Sequence, residues 1–324
     1  MGRMLEKGNK MAYKDFGVVN TRVMFARAMA GGYAVPAFNF YNLETIQAII
    51  QAARTCHSPV ILAVSESALA YMGDAMLMAM VSGLGLDGSE PVALHLDHGS
   101  SFDACRHAID LGFSSVMIDA SKLDINANID LSRRVVDYAH AHDVTVEAEL
   151  GVLSGIEDEN TASAYGHYTN PADVVHFVHE SGVDSLAIAI GTSHGAYKRQ
   201  RDDEELRFDI LRDIADALPN FPLVLHGASC IPSHLVDIIN EYGGCIGGAR
   251  GIAPDQLRRA TSMNVCKINV DSDSRLAFTA AVRRTLGQKP DVFDPRQYLG
   301  AARDMITENC IDEIRHIMNS ENKY

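Results

Sequence analysis

The chain has 324 residues, and 28 Lys and Arg against 42 Asp and Glu leave a formal net charge of −14. Hydrophobic residues at 47% and charged ones at 22% describe a folded protein, not a disordered one. An acidic chain repels phosphate backbones and anionic lipid, which argues against nucleic acid or a membrane surface as partner. No run of about 18 apolar residues is present to span a bilayer. The six cysteines are scattered without a CxxC pair and read as reduced thiols. Residues 1–17 hold basic side chains but neither a secretory apolar core nor a myristoylation serine or threonine, so the expected location is the cytoplasm.

Short apolar runs alternate with helix-like segments along the whole chain. Strands are predicted at Ala34–Phe38, Val60–Val64, Val92–Leu96, Ser115–Ile118, Thr145–Leu150, Ser185–Ile190, Leu223–Leu225 and Val265–Asn269. Between them, Leu43–Cys56 repeats its apolar residues at spacings of three and four, as do Phe102–Gly112, Asn126–His142, Pro171–Gly182 and Pro232–Gly244. Strands separated by helices imply parallel pairing, and eight such units favour a closed (β/α)8 barrel of the TIM type over an open sheet. The first strand runs into Asn39-Phe40-Tyr41-Asn42, with none of the glycines a dinucleotide loop needs. The expectation is one domain, residues 1–324, with an N-terminal extension over about 1–16 and a C-terminal helical appendage over about 295–324. The longest break, Gly151–Asn170, follows strand five and is expected to hang over the active face.

In such barrels the reactive groups stand at the carboxyl ends of the strands. His98, His194 and His226 lie just beyond strands three, six and seven, on one rim. Three imidazoles with an open position suit catalytic zinc. Asp97 stands beside the first of them, placed to exchange a proton with a substrate hydroxyl or to support an imidazole. Glu149 reads as a supporting carboxylate or a transient ligand, and Glu147 shares its face by alternation. His95 shares the face of Asp97 and is expected to help line the site, whereas His107, His140, His142, His176, His179, His234 and His316 read as helical, structural residues. Gly195 and Gly227-Ala228-Ser229 offer backbone N–H groups at strand-to-helix turns, and Lys198 adds positive charge: together a candidate phosphate receptor. The stretch Lys267–Arg275 closes strand eight and opens a helix, with Ser272 as its candidate cap.

These motifs closely resemble the class II, metal-dependent ketose-bisphosphate aldolases. VPAFN, LHLDHG, VEAELG, AIAIGTSHGAYK, LVLHGAS, KINVDSD and DPRQYL occur in family order from Val35 to Leu299. The resemblance implies a (β/α)8 barrel assembled as a homodimer or homotetramer. It makes His98, His194 and His226 the zinc ligands, Glu149 an alternative ligand, and Asp97 the group that exchanges a proton with the C4 hydroxyl. Glu157, in the long loop, matches the acid that moves a proton at the donor carbon. The donor phosphate would meet Gly195, Lys198, Gly227, Ser229, Asn269, Asp271 and Ser272, beside a monovalent cation (Na+ or K+). Arg275 and Arg296 match arginines of the distal phosphate, the former reaching from a neighbouring subunit, and Asn39 and Ser65 line the channel.

The implied reaction is reversible cleavage of fructose 1,6-bisphosphate to dihydroxyacetone phosphate and glyceraldehyde 3-phosphate, with tagatose 1,6-bisphosphate as the alternative substrate. Asp271-Ser272-Asp273 and the Gly243–Leu257 stretch favour the fructose branch, while LHLDHG, VEAELG and LVLHGAS suit both. The departures from familiar fructose members are Phe40-Tyr41, Ala120 between Asp119 and Ser121, and Ser272. A Schiff base at Lys122 or Lys198 is unnecessary beside a metal cluster. A zinc hydrolase or phosphosugar isomerase on the same barrel is a separate reading, distinguished by a coupled triose-phosphate assay, and a non-catalytic scaffold is a third, distinguished by metal content.

Overall fold

The structure, a computed structural model, describes residues 12–157, 160–163, 167–196 and 205–324, with 154–157 and 160–163 as backbone only. The barrel strands are β1 (Val35–Asn39), β2 (Val60–Ser65), β3 (Val92–Gly99), β4 (Ser115–Ile118) and β5 (Thr145–Leu150). A small hairpin of β6 (Ser154–Glu157) and β7 (Asn160–Ser163) follows, then β8 (Ser185–Ile188), the two-residue β9 (Ser193–His194), β10 (Leu223–Leu225) and β11 (Val265–Val270). Helices α1 (Thr21–Gly31), α2 (Leu43–Cys56), α3 (Glu66–Met72), α4 (Asp74–Gly83), α5 (Phe102–Leu111) and α6 (Ile125–His140) occupy the first half. The second half holds α7 (Val174–Ser181), α8 (Phe208–Ala217), α9 (Ser233–Glu241), α10 (Pro254–Thr261), α11 (Ser272–Gln288) and α12 (Pro295–Glu313), ending in a π-helical turn, Ile314–Met318.

The eight larger strands close in the order β1-β11-β10-β8-β5-β4-β3-β2, all neighbours parallel. Both faces of each strand are covered, which is why the strands read as apolar runs rather than alternating ones. Phe38, Leu62, Leu94 and Val116 face outward into the layer shared with the helices. At the foot of the barrel, Met24, Phe25, Ala28 and Tyr33 pack with Val35, Ala37, Ile61 and Ala93, so α1 plugs that end. The plug is also pinned at the start of β5 by the hydroxyls of Thr21 and Thr145, 2.8 Å apart. Halfway up, the interior layer is polar: His95, Glu147 and Lys267 are each buried to 1% exposure or less.

All eight predicted strands keep their ends to within three residues, the third running on from Leu96 to Gly99. The sixth stops at Ile188 rather than Ile190, because Thr169 returns from the long excursion and binds Ala189 on both its N–H and its carbonyl. That excursion is itself structured: β6 pairs with β7 on one side and with β9 on the other. The helix after β11 begins at Ser272, so the serine is not the cap. Asp271 takes that position without capping through its side chain, since its carboxylate is occupied by Arg275. His142 falls just past the end of α6. The C-terminal segment packs along α11 and α2 and ends in backbone bonds to Cys56 and His57. All six cysteines are free, and no described helix is long and apolar enough to cross a membrane.

Phe25 fills the plug at 2% exposure. Phe25→Ala is expected to cost about 3–5 kcal/mol. Urea unfolding would show this as a lower midpoint at unchanged slope.

Candidate active site

Asp97 and His98 are neighbours on β3, and simple alternation would send their side chains to opposite faces. The strand breaks that rule. His98 has a φ of 49°, in the left-handed region, and the β3–β4 register shifts between Leu96 and Gly99. A non-glycine residue held there costs of order 1–3 kcal/mol. The kink turns both side chains toward the barrel mouth.

Three imidazoles meet at that mouth. The ring centroids of His98 and His226 are 4.4 Å apart and those of His98 and His194 5.1 Å apart. His226 comes from the turn after β10, and His194 from β9, which the excursion strand β6 pairs with. Nε2 of His98 faces Nδ1 of His226 at 2.9 Å. The other nitrogen of each ring is held by a carboxylate: His98 Nδ1 by Asp119 at 3.1 Å, and His226 Nε2 by Glu147 at 2.6 Å. A carboxylate fixes the N–H on the nitrogen it touches. With their protons on those outer nitrogens, the two rings turn their lone pairs toward each other, an arrangement that a shared proton or a cation bound beside them would satisfy. Asp97, His98 and His226 offer ligand atoms within 4.8 Å of one another, as do His98, Asp119 and Glu149. The residues present thus fit a divalent metal ion.

Asp97 is 1% exposed and gripped from both sides. Asn39 from β1 donates to its Oδ2 and Asn269 from β11 to its Oδ1, each at 2.8 Å. Burial alone would raise its pKa, but the charges of His98, His226 and Lys267 and the Asn39 amide hold it below the usual carboxylate range. The grip leaves an ionised acid with its oxygens aimed, suited to taking a proton from a substrate hydroxyl.

Beneath the mouth lies a chain of buried charges that reading the residues did not assemble. Lys267 Nζ donates to Glu147 Oε2 at 2.8 Å and lies 3.2 Å from His95 Nε2. His95 Nδ1 in turn meets Ser115 Oγ at 2.8 Å. His95 therefore belongs to the barrel interior, not to the lining of the mouth, and burial together with Lys267 pushes its pKa well below that of a free imidazole. A lysine inside an otherwise apolar strand, VCKINV, is the signal that marks this layer in the sequence. Asp119, one residue past β4, was equally visible as a carboxylate at a strand's carboxyl end.

The remaining predicted residues are distributed around this centre. Ser65 ends β2 in register with Asp97 and caps α3 through its Oγ. Gly195 follows His194 with a φ of 85°. At Gly227 a Cβ would lie 2.6 Å from the carbonyl carbon of Ser193, so only glycine lets the turn after β10 pass beneath β9. Ser229 is buried two residues on, and Asn269 and Asp271 leave β11 just ahead of Ser272. Arg275 clasps Asp271 in its own chain and lies over the Tyr41 ring. Arg296, 88% exposed on its side chain, pairs with Asp294 rather than with the rim. Phe40 is buried in the outer core, so of the Phe40-Tyr41 pair only the tyrosine remains partly exposed. Glu157 ends β6 on the excursion, but its side chain and the whole of Lys198 lie outside the described residues.

With this geometry in view, the comparisons with known proteins are decisive. The sequence model of the class II fructose-bisphosphate aldolases matches residues 19–323. The chain belongs to that family. It is 49% identical over 329 residues to a fructose-bisphosphate aldolase of Treponema pallidum (strain Nichols), covering 95% of this chain and 98% of the relative. To a fructose-bisphosphate aldolase of Thermus caldophilus it is 50% identical over 287 residues, 87% of this chain and 92% of the relative. The crystal structure of the YdjI aldolase from Escherichia coli K12 superposes with a TM-score of 0.76 at 29% identity, covering 94% of this chain and 99% of that one. The family is one of metal-dependent lyases.

Lys267→Met would strand the Glu147 charge in the barrel interior. It is expected to cost about 3–5 kcal/mol in urea unfolding, and the double variant Lys267→Met/Glu147→Gln to recover a large part of that loss.

Proposed function

We propose that this chain cleaves fructose 1,6-bisphosphate reversibly to dihydroxyacetone phosphate and glyceraldehyde 3-phosphate, with zinc as its metal. The observation that carries the reading is the ionised Asp97, oriented by two asparagine amides beside the imidazoles of His98 and His226, each held by a carboxylate on its outer nitrogen. Family membership and relatives named fructose-bisphosphate aldolase at 49% and 50% identity support the substrate.

His98, His194 and His226 hold the zinc, with Glu149 as an alternative ligand. Bound by these residues, zinc would supply a Lewis acid for the negative charge on the C2 oxygen. Asp97 takes the proton from the C4 hydroxyl, and Asn39 and Asn269 keep its oxygens aimed at that position. Once the aldehyde has left, Glu157 delivers a proton to the donor carbon. The donor phosphate is received by backbone N–H groups of Gly195, Gly227 and Ser229 and by the 269–272 segment, with Lys198 and a monovalent cation, Na+ or K+, offsetting its charge. These local donors are what allow an anionic substrate to bind a protein of net charge −14. Arg275 and Arg296 serve the distal phosphate, with Arg275 crossing from a neighbour in a homodimer or homotetramer. Both arginines must leave Asp271 and Asp294 to do so. The enzyme works in the cytoplasm as a single barrel domain.

A coupled triose-phosphate assay on fructose and tagatose 1,6-bisphosphates tests the substrate, and the fructose epimer is expected to turn over faster. Dialysis against EDTA should abolish the signal and added zinc restore it; full activity in metal-free protein would overturn the mechanism. Asp97→Ala is expected to lower kcat by about 10²–10⁴-fold while binding zinc normally, as read by metal analysis. A near-normal rate removes Asp97 from its role.

A further inference from the structure

The two loops that receive the donor phosphate in this reading, 227–229 after β10 and 269–272 after β11, are fastened to each other by one buried carboxylate. Asp273, fully buried in the first turn of α11, accepts hydrogen bonds from the backbone N–H groups of Cys230 at 2.7 Å and Ile231 at 2.8 Å. Ile231 has a φ of 54°, a region that β-branched residues avoid, so the carboxylate holds a strained turn directly beyond Ser229.

Glu313, the last residue of α12 and 2% exposed, lies beside Asp273, close enough for the two carboxyl groups to interact. Its Oε1 accepts from Asn309 Nδ2 at 2.8 Å, while its Oε2 meets no donor among the described residues. Two buried carboxyl groups in contact cannot both be ionised. Asp273 has two N–H donors to stabilise its charge, whereas Glu313 has one neutral amide, so the shared proton rests on Glu313. Burial, followed by the charge of Asp273, raises the Glu313 pKa well above the carboxylate range. The other titratable groups near it are the exposed Asp312 and the buried thiol of Cys310, whose own pKa burial raises.

We propose that Glu313 is a positioning residue: as a neutral acid it donates a hydrogen bond to Asp273, and so fixes the carboxylate that joins the two phosphate-receiving loops. This gives the C-terminal helix a part in substrate binding although it contributes no group to the mouth through this residue. The inference rests on the functional reading above for what the loops bind, but not for the proton itself.

Glu313→Gln supplies an N–H in place of the acid's O–H, and its KM for fructose 1,6-bisphosphate should stay within about twofold of wild type. Glu313→Ala should raise KM about tenfold, with a smaller change in kcat and unchanged zinc content. In an Asp273→Asn background the Glu313→Ala change should add nothing, because the acceptor it served is gone. Difference infrared spectra of the whole protein should show a buried protonated carboxylic acid that Glu313→Gln removes. The proposal is overturned if Gln is as damaging as Ala, if neither moves KM, or if the acid band is missing from wild type. Should Glu313→Ala fail to fold, the Gln variant and the infrared band still decide. A wild-type protein without aldolase turnover would sink the functional reading instead, and the infrared result would then settle the proton on its own.

Discussion

Two imidazole nitrogens, each on a ring whose other nitrogen is held by a carboxylate, face each other at 2.9 Å at the mouth of the barrel. Almost everything unusual in the structure serves that opposition. Glu147 meets His226 in the interior, and Lys267 is buried beside it as a second hydrogen-bond partner. His95 and Ser115 complete the polar layer, so a band that branched apolar residues fill in most barrels is here a hydrogen-bonded set of charges. Such a layer does little for stability, because removing charges from water costs about what their attraction returns. Its value lies in holding the His226 ring in one orientation.

Around this centre the scaffold divides its tasks by depth. The foot is apolar and plugged by α1, and the middle carries the charge relay. The mouth carries the kinked β3, whose left-handed His98 brings two adjacent side chains to one place. His98 and Ile231, two of the eight non-glycine residues with positive φ among the described residues, lie at the functional end, and in both cases a carboxylate or amide restrains the distorted segment or its neighbour.

Much of this was legible in the chain. Continuous apolar runs separated by helix-period segments gave the eight strands, and the rim histidines stood out because each follows such a run directly. What could not be read was set by contacts distant in sequence. The sixth strand ends early because Thr169 bonds Ala189 across 20 positions. Ser272 is not a cap because the helix already begins with it, and His95 is interior because Lys267 and Ser115 meet it there. Alternation along β3 places Asp97 on the inner face, yet no local pattern announces the kink that brings His98 to the same side.

The grip on Asp97 has one more consequence. Its two amide partners come from the first and last strands, which pair with each other to shut the ring, and one of them is 172 positions away along the chain. A nascent or partly unfolded protein with that seam open would retain the aspartate but lose both hands that steer it. Proton-transfer competence is thus a readout of circumferential closure, and premature chemistry on a half-built cylinder is ruled out by its own geometry.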